Sequence, residues 1–154
     1  MKKYPLTFDS IGKQERSEAI KSLISGRYTM GDKVKQFESL FAKWVGAKYA
    51  VMVNSGSSAN LLMVESLLRG TRNKYLKKGD EVIVPALAWP TTIWPVVQLG
   101  LKPVFVDSNM DDLSIDFDRL QKTITKKTKA LFLIHVLGNH ANMKKALNFC
   151  KKNK

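Results

Sequence analysis

The sequence predicts an α/β fold, with a mainly parallel sheet covered by helices on both faces. Short apolar runs rich in valine and isoleucine recur along the chain, as expected for strands that are buried on both faces. Segments with apolar residues at helical spacing separate these runs, and consecutive parallel strands need such a crossover between them. We therefore expect ligands beyond the carboxyl ends of the strands.

Residues 1–47 are predicted to form an N-terminal helical arm. Asp9–Ser25 has the pattern of a helix that ends at Gly26, and Asp32–Val45 has the pattern of a second helix that ends at Gly46. Glycine directly after a helix favours the left-handed C-cap. The residues of the first helix that are expected to face inward are Ala19, Ile20, Leu23 and Ile24.

Residues 48–154 are predicted to alternate between strands and helices. The predicted strands are Tyr49–Val53, Glu81–Val84, Pro103–Val106 and Ala130–Val136. One predicted helix follows residue 58, and the others span Pro90–Leu99, Asp116–Ile124 and Asn142 to about Lys152. Pro95 is expected to kink or shorten its helix, because proline lacks the main-chain N–H that a helix interior needs.

The most informative segment is the polar turn Asn54–Ser58, between an apolar strand-like run and an apolar helix-like run. The main-chain N–H groups at a helix start and the positive end of the helix dipole attract an anion. Gly56 allows close approach to the main chain, and the serine hydroxyls add donors. The turn therefore predicts a phosphate site, with the alternative that Ser55 or Ser57 only caps the helix.

Composition limits the classes of function. The formal charge of +13 is compatible with nucleic-acid binding, but the basic residues are spread along the whole chain, and the densest run lies on a predicted C-terminal helix whose other side is apolar, as in a solvated helix face. We keep nucleic acid as a minor alternative and expect acidic small molecules instead. No run is long enough for a membrane span, and Cys150 is the single cysteine, so we expect a soluble cytoplasmic protein without a metal site.

The residues near the turn narrow the choice of phosphate ligand. Neither the Walker pattern nor the dinucleotide pattern Gly-x-Gly-x-x-Gly occurs. The next predicted strand is instead followed by the aromatic residue Trp89, which can stack on a flat heteroaromatic ring. A phosphate attached to such a ring describes pyridoxal phosphate.

Many short motifs together resemble the nucleotide-sugar aminotransferase family known as DegT/DnrJ/EryC1/StrS. In chain order they are Gly31, Phe37-Glu38, Phe41-Ala42, Gly46-Ala47, Tyr49-Ala50-Val51, Asn54-Ser55-Gly56-Ser57, Gly79 to Ala86, Gly100, Pro103 to Asp107 and Ile115-Asp116. The resemblance covers nearly the whole chain. It implies that residues 48–154 are the N-terminal part of the large domain of a fold type I, aspartate-aminotransferase-like enzyme, which is usually a homodimer.

The resemblance also implies roles for individual residues. Gly56 and Ser57 match the groups that hold the phosphate of pyridoxal phosphate, and Trp89 matches the aromatic residue that stacks on its ring. The alternative for Trp89 is a plain core residue. His135 matches a position near the family's pocket, where we expect a structural rather than a catalytic role. The other two tryptophans, Trp44 and Trp94, are expected in the core.

Family members are more than twice as long as this chain, so we expect an N-terminal fragment. The resemblance implies that the residue forming the Schiff base lies beyond Lys154, and no catalytic residue is assigned within the chain. The isolated chain is expected to bind pyridoxal phosphate weakly and to show no turnover.

The resemblance implies two activities for the complete protein. The first is transfer of an amino group from a donor such as glutamate to a nucleotide-linked 4-keto sugar, in polysaccharide or lipopolysaccharide biosynthesis. The alternative is a pyridoxal-phosphate-dependent 3-dehydratase of a nucleotide-linked 4-keto-6-deoxy sugar. The segments Asn54–Leu62, Pro90–Thr92 and Leu137–Asn139 favour that branch. A non-catalytic subunit or binding module is the second alternative.

Overall fold

The structure is a computed structural model that describes residues 8–70 and 76–153. It forms two compact units, Met1–Met52 and Val53–Lys154. The first unit contains the helices α1 (Lys13–Ile24) and α2 (Asp32–Val45). The helices of the second unit are α3 (Gly56–Arg69), α4 (Pro90–Gln98), α5 (Phe117–Thr123) and α6 (Met143–Lys152), and its strands are β1 (Glu81–Pro85), β2 (Lys102–Val106) and β3 (Thr128–Leu131).

In the first unit both predicted helices are present, but the predicted inward face of α1 is wrong. Ile20, Leu23 and Ile24 are all exposed. The contact between α1 and α2 is polar, because the Glu18 carboxylate on α1 lies 2.8 Å from the Lys33 ammonium group on α2. Helix α2 ends at Gly46 in the left-handed conformation, as the sequence predicts.

The predicted strand Tyr49–Val53 is wrong. A strand forms only when its main-chain groups pair with a neighbouring strand. Within the described ranges this segment joins no sheet, and the main-chain N–H of Met52 donates to the Glu38 carboxylate at 2.8 Å instead. The segment is also not buried, since Tyr49 and Val51 are exposed.

The second unit is built on a parallel sheet in the order β2-β1-β3. Side chains of the central strand β1 alternate between two clusters of buried apolar residues. Val82 and Val84 pack in the first cluster with residues of α3 and α4, and Ile83 packs in the second with residues of α5 and α6. Helices therefore cover both faces, and the predicted α/β class with a parallel sheet is confirmed.

Strand β3 begins two residues earlier and ends five residues earlier than the predicted strand Ala130–Val136. The main-chain N–H of Phe132 donates to the carbonyl of Ile83 at 2.8 Å. The next rung of this parallel ladder needs a main-chain N–H at Pro85, and proline has none. Pairing with β1 therefore stops at this point.

The amino-terminal end of the sheet is held by a side chain of β1. The Glu81 carboxylate accepts hydrogen bonds from the hydroxyls of Thr125, at 2.6 Å, and Thr128, at 3.0 Å. The hydrogen bond from Thr125 is the main reason why the pKa of Glu81 lies below its usual value.

Among the helices of the described ranges, none has both the length and the apolar composition to cross a membrane.

Candidate cofactor-binding site

The N-terminal turn of α3 exposes two main-chain donors. Ser55 is the N-cap, and its hydroxyl accepts a hydrogen bond from the main-chain N–H of Ser58 at 3.2 Å. The Ser58 hydroxyl in turn donates to the Asn54 side-chain oxygen at 2.7 Å. None of the residues that the structure describes accepts a hydrogen bond from the N–H of Gly56 or Ser57. Ser55 thus takes the capping role, while the two following N–H groups are available to an anion.

The space beside the Gly56 main chain is open. A Cβ atom built on Gly56 would have no neighbouring atom within 4 Å. Gly56 is exposed and its φ is not positive, so neither crowding by the protein nor its own φ angle requires glycine here. An anion that approaches the main chain closely is a physical reason for the missing side chain.

Trp89 occupies the N-cap position of α4, where the chain leaves the carboxyl end of β1. Its side chain is 76% exposed. It is therefore not a core residue, and its indole presents a free face for stacking. The predicted core positions of Trp44 and Trp94 are wrong, because these side chains are 87% and 60% exposed.

A side chain of α3 links the two helix starts. The Asn60 side-chain N–H₂ donates to the main-chain carbonyl of Thr91 at 3.2 Å. Asn60 lies one helical turn after Gly56, and Thr91 lies two residues after Trp89. The hydrogen bond connects the N-terminal part of α3 with the first turn of α4, and these are the parts of the two helices that carry the predicted phosphate and ring residues.

His135 lies four residues after the end of β3, at the start of the short 3-10 helix Val136–Gly138. Its Nδ1 accepts a hydrogen bond from the main-chain N–H of Ala141 at 3.1 Å, and its ring lies 6.0 Å from that of His140. This contact holds the loop and supports the predicted structural role. The hydrogen bonds of the described residues do not connect His135 with Gly56, Ser57 or Trp89.

A prominent concavity of the second unit lies away from these residues. A cavity of about 670 Å³ lies beside β3 and α6, and its lining includes Leu131, Phe149 and Cys150. Gly56, Ser57 and Trp89 are instead exposed on the surface of the chain. A phosphate needs N–H donors, and the wall of this cavity is mainly apolar, so the cavity does not match the predicted phosphate ligand.

Sequence reasoning did not identify Asn60 or the role of Asn54. Asn60 carried a usable signal, because it is a polar residue among Ala59, Leu61 and Leu62 on the helix face shared with Gly56. The sequence could not identify the acceptor, the Thr91 carbonyl, because every residue carries a main-chain carbonyl.

The chain is similar to known proteins over nearly its whole length. The family model "DegT/DnrJ/EryC1/StrS aminotransferase family" matches residues 9–154. The GDP-4-keto-6-deoxy-D-mannose 3-dehydratase of Escherichia coli O55:H7 (strain CB9615 / EPEC) is 47% identical over 143 residues, which are 90% of this chain and 36% of that protein. The chain therefore spans about a third of the length of this relative.

Solved structures show the same relation. A GDP-4-keto-6-deoxymannose-3-dehydratase with a trapped PLP-glutamate geminal diamine has a TM-score of 0.90 and 43% identity, covering 99% of this chain and 39% of its own. An aminotransferase from Psychrobacter cryohalolentis has a TM-score of 0.84 and 28% identity, covering 96% of this chain and 36% of its own. The main chain is thus similar both to a solved 3-dehydratase and to a solved aminotransferase.

Proposed function

The chain belongs to the DegT/DnrJ/EryC1/StrS aminotransferase family. Within this family, we propose that the complete protein is a pyridoxal-phosphate-dependent 3-dehydratase. Its substrate is a nucleotide-linked 4-keto-6-deoxy sugar, with an amino donor such as glutamate. Identity supports this choice, because it is 47% with the dehydratase of E. coli and 28% with the aminotransferase of P. cryohalolentis. Aminotransfer, the first activity expected from the sequence, is less well supported than its alternative.

The structural observation that supports cofactor binding is the pair of helix starts joined by Asn60 and Thr91. The open N–H groups of Gly56 and Ser57 and the dipole of α3 bind the phosphate of the cofactor. The exposed indole of Trp89 would stack on the ring of the cofactor and shield it from water. When bound, pyridoxal phosphate supplies an electron-withdrawing ring that stabilises negative charge on the substrate carbon next to its nitrogen.

In this proposal the residues of this chain bind and orient the cofactor. None of them is assigned a role in proton transfer. The Nδ1 atom of His135 already accepts the Ala141 N–H, so the ring serves the loop. We assign the remaining walls of the pocket to other parts of the complete protein and to the second subunit of a homodimer, since the chain spans 36% of its E. coli relative.

The test uses the protein at its full natural length, loaded with pyridoxal phosphate. GDP-4-keto-6-deoxymannose and glutamate with an isotopically labelled nitrogen are added, and the sugar product is analysed by mass spectrometry. The proposal expects a sugar that has lost its C3 hydroxyl, keeps oxygen at C4 and carries no label.

A sugar that keeps its C3 hydroxyl and carries the labelled nitrogen at C4 would show an aminotransferase instead. Absence of pyridoxal phosphate binding to the full-length protein would remove both activities.

A further inference from the structure

We infer that Asn60 is a positioning residue that sets the spacing between the phosphate turn and Trp89. This inference rests on the proposed function, because the spacing matters only for a ligand that contacts both sites. Three observations carry it: an unusual carbonyl on α4, the donor that satisfies it, and the apolar contact around them.

The carbonyl of Thr91 is left without its helical partner by the sequence of α4. In an α-helix this carbonyl accepts the N–H of the residue four positions later. That residue is Pro95, which lies inside α4 and has no N–H. Thr91 and Asn60 are both partly buried, so the carbonyl has limited access to water.

Asn60 supplies the missing donor from a different helix. Its side-chain nitrogen lies 3.2 Å from the Thr91 oxygen. The first turn of α4 also fixes Trp89, because the main-chain N–H of Thr92 donates to the carbonyl of Trp89 at 2.9 Å, and Thr92 is buried. A chain of contacts therefore runs from Gly56 through Asn60 and Thr91 to Trp89.

The rest of the contact between α3 and α4 is apolar. Val64 of α3 and Val96 of α4 are buried in the same cluster, 3% and 0% exposed. Apolar contacts are not directional, so they hold two helices together without fixing how far one slides along the other. A hydrogen bond is directional, and this one lies at the end of the helices where the ligand would bind.

The inference separates two effects of Asn60, satisfying a carbonyl and positioning Trp89. Asn60→Leu removes the donor. Pro95→Ala supplies a main-chain N–H to the same carbonyl from within α4, so it satisfies Thr91 without linking α4 to α3. Combining the two substitutions therefore restores the hydrogen bond and leaves the link broken.

The experiment measures urea unfolding and ligand affinity in the full-length protein. Affinity is measured for pyridoxal phosphate, which spans both sites, and for inorganic phosphate, which contacts the turn alone. We expect Asn60→Leu to weaken pyridoxal phosphate binding by roughly 3- to 10-fold, the size of one hydrogen bond. Binding of inorganic phosphate is expected to stay within about twofold, as the turn itself is unchanged.

In Asn60→Leu/Pro95→Ala we expect the urea midpoint to move back towards that of Pro95→Ala alone, while the weakened pyridoxal phosphate binding remains. Asn60→Asp, which has the same shape but no donor when ionised, is the second variant. The control is Asn153→Leu, because the Asn153 side chain also donates to a main-chain carbonyl, that of Phe149 at 2.8 Å, but does so locally at the exposed C-terminal end of α6. This control is expected to leave both affinities unchanged.

Two results would overturn the inference: pyridoxal phosphate affinity that recovers together with stability in the double variant, or equal weakening of both ligands by Asn60→Leu. Failure of the proposed function looks different. In that case the unaltered protein would bind no pyridoxal phosphate, or its affinity would be indifferent to Gly56→Ala and Trp89→Ala.

Discussion

At position 56 the missing side chain has opposite consequences for the fold and for a ligand. The first helical position tolerates alanine well, and a methyl group there would meet no protein atom within 4 Å. The same methyl group would occupy the space through which an anion reaches the N–H groups of Gly56 and Ser57. The two effects can be measured separately.

We predict that Gly56→Ala leaves the free energy of unfolding unchanged or raises it by up to about 1 kcal/mol, since alanine restricts the unfolded chain. Affinity for pyridoxal phosphate and for inorganic phosphate should both fall by about 10-fold or more, as the close approach is lost. Urea unfolding and equilibrium binding measure the two quantities. Gly31→Ala is the control, because Gly31 also lies at a helix start, as the N-cap of α2, but belongs to the first unit.

Unchanged phosphate affinity in Gly56→Ala would contradict the phosphate site at this turn. A large loss of stability would show instead that the glycine serves the fold.

At the scale of elements, one carboxylate joins two helices. Glu18 of α1 lies 2.8 Å from Lys21 on its own helix and 2.8 Å from Lys33 on α2. The hydrogen bond from Lys21, followed by that from Lys33, lowers the pKa of Glu18 from 4.5 to about 2. A lowered pKa means that the folded state favours the ionised carboxylate.

We predict that the link between α1 and α2 is complete above pH 4.5 and is lost as the pH falls towards 2. The chemical shift of the Glu18 carboxyl carbon, followed by NMR against pH, measures this pKa. Lys33→Gln should raise it, and ~1 M salt should raise it as well, because the pair is exposed. Lys35→Gln, on the same helix but outside the described ion pairs, is the control. A pKa that ignores both Lys33→Gln and salt would contradict the role of this pair.

The elements also show what the sequence could predict. Helix α2 and the N-caps Asp116 and Asn142 of α5 and α6 follow local rules, and the structure contains all three. Tyr49–Val53 is apolar enough for a strand, yet strand formation depends on a partner that local sequence does not specify. The early end of β3 depends likewise on Pro85 of another strand.

The candidate site divides in the same way. Gly56, Ser57 and Trp89 each lie between an apolar strand-like run and a helix-like run, so their positions near helix starts were predictable. Asn60 acquires its partner only through the packing of α3 on α4. Its role requires the fold, and the orphan carbonyl that Pro95 creates becomes meaningful only beside α3.

At the scale of the whole molecule, the sheet separates two apolar clusters. Ile83, 0% exposed, packs in one cluster with Leu120, while Val96, also 0% exposed, packs in the other. Residues without shared neighbours contribute independently to stability, and residues that share a cavity do not.

We predict that Ile83→Val lowers the free energy of unfolding by about 0.5–1.5 kcal/mol and Leu120→Ala by about 2–5 kcal/mol. Ile83→Val combined with Val96→Ala should be additive within about 0.5 kcal/mol, because the sheet lies between the two sites. Ile83→Val combined with Leu120→Ala should depart from additivity by more. Urea unfolding of the single and double variants provides the comparison, and the reverse order of coupling would contradict two separate clusters.

Pro85 also has an effect at this scale. An ordinary amino acid in its place would bring an amide hydrogen to the carbonyl of Phe132, and the sheet would gain one more rung at the end from which Trp89 emerges. The ring of the imino acid prevents this extension while remaining fully buried. The number of hydrogen-bonded rungs in the sheet below these loops is thus limited by the amide hydrogen that Pro85 lacks.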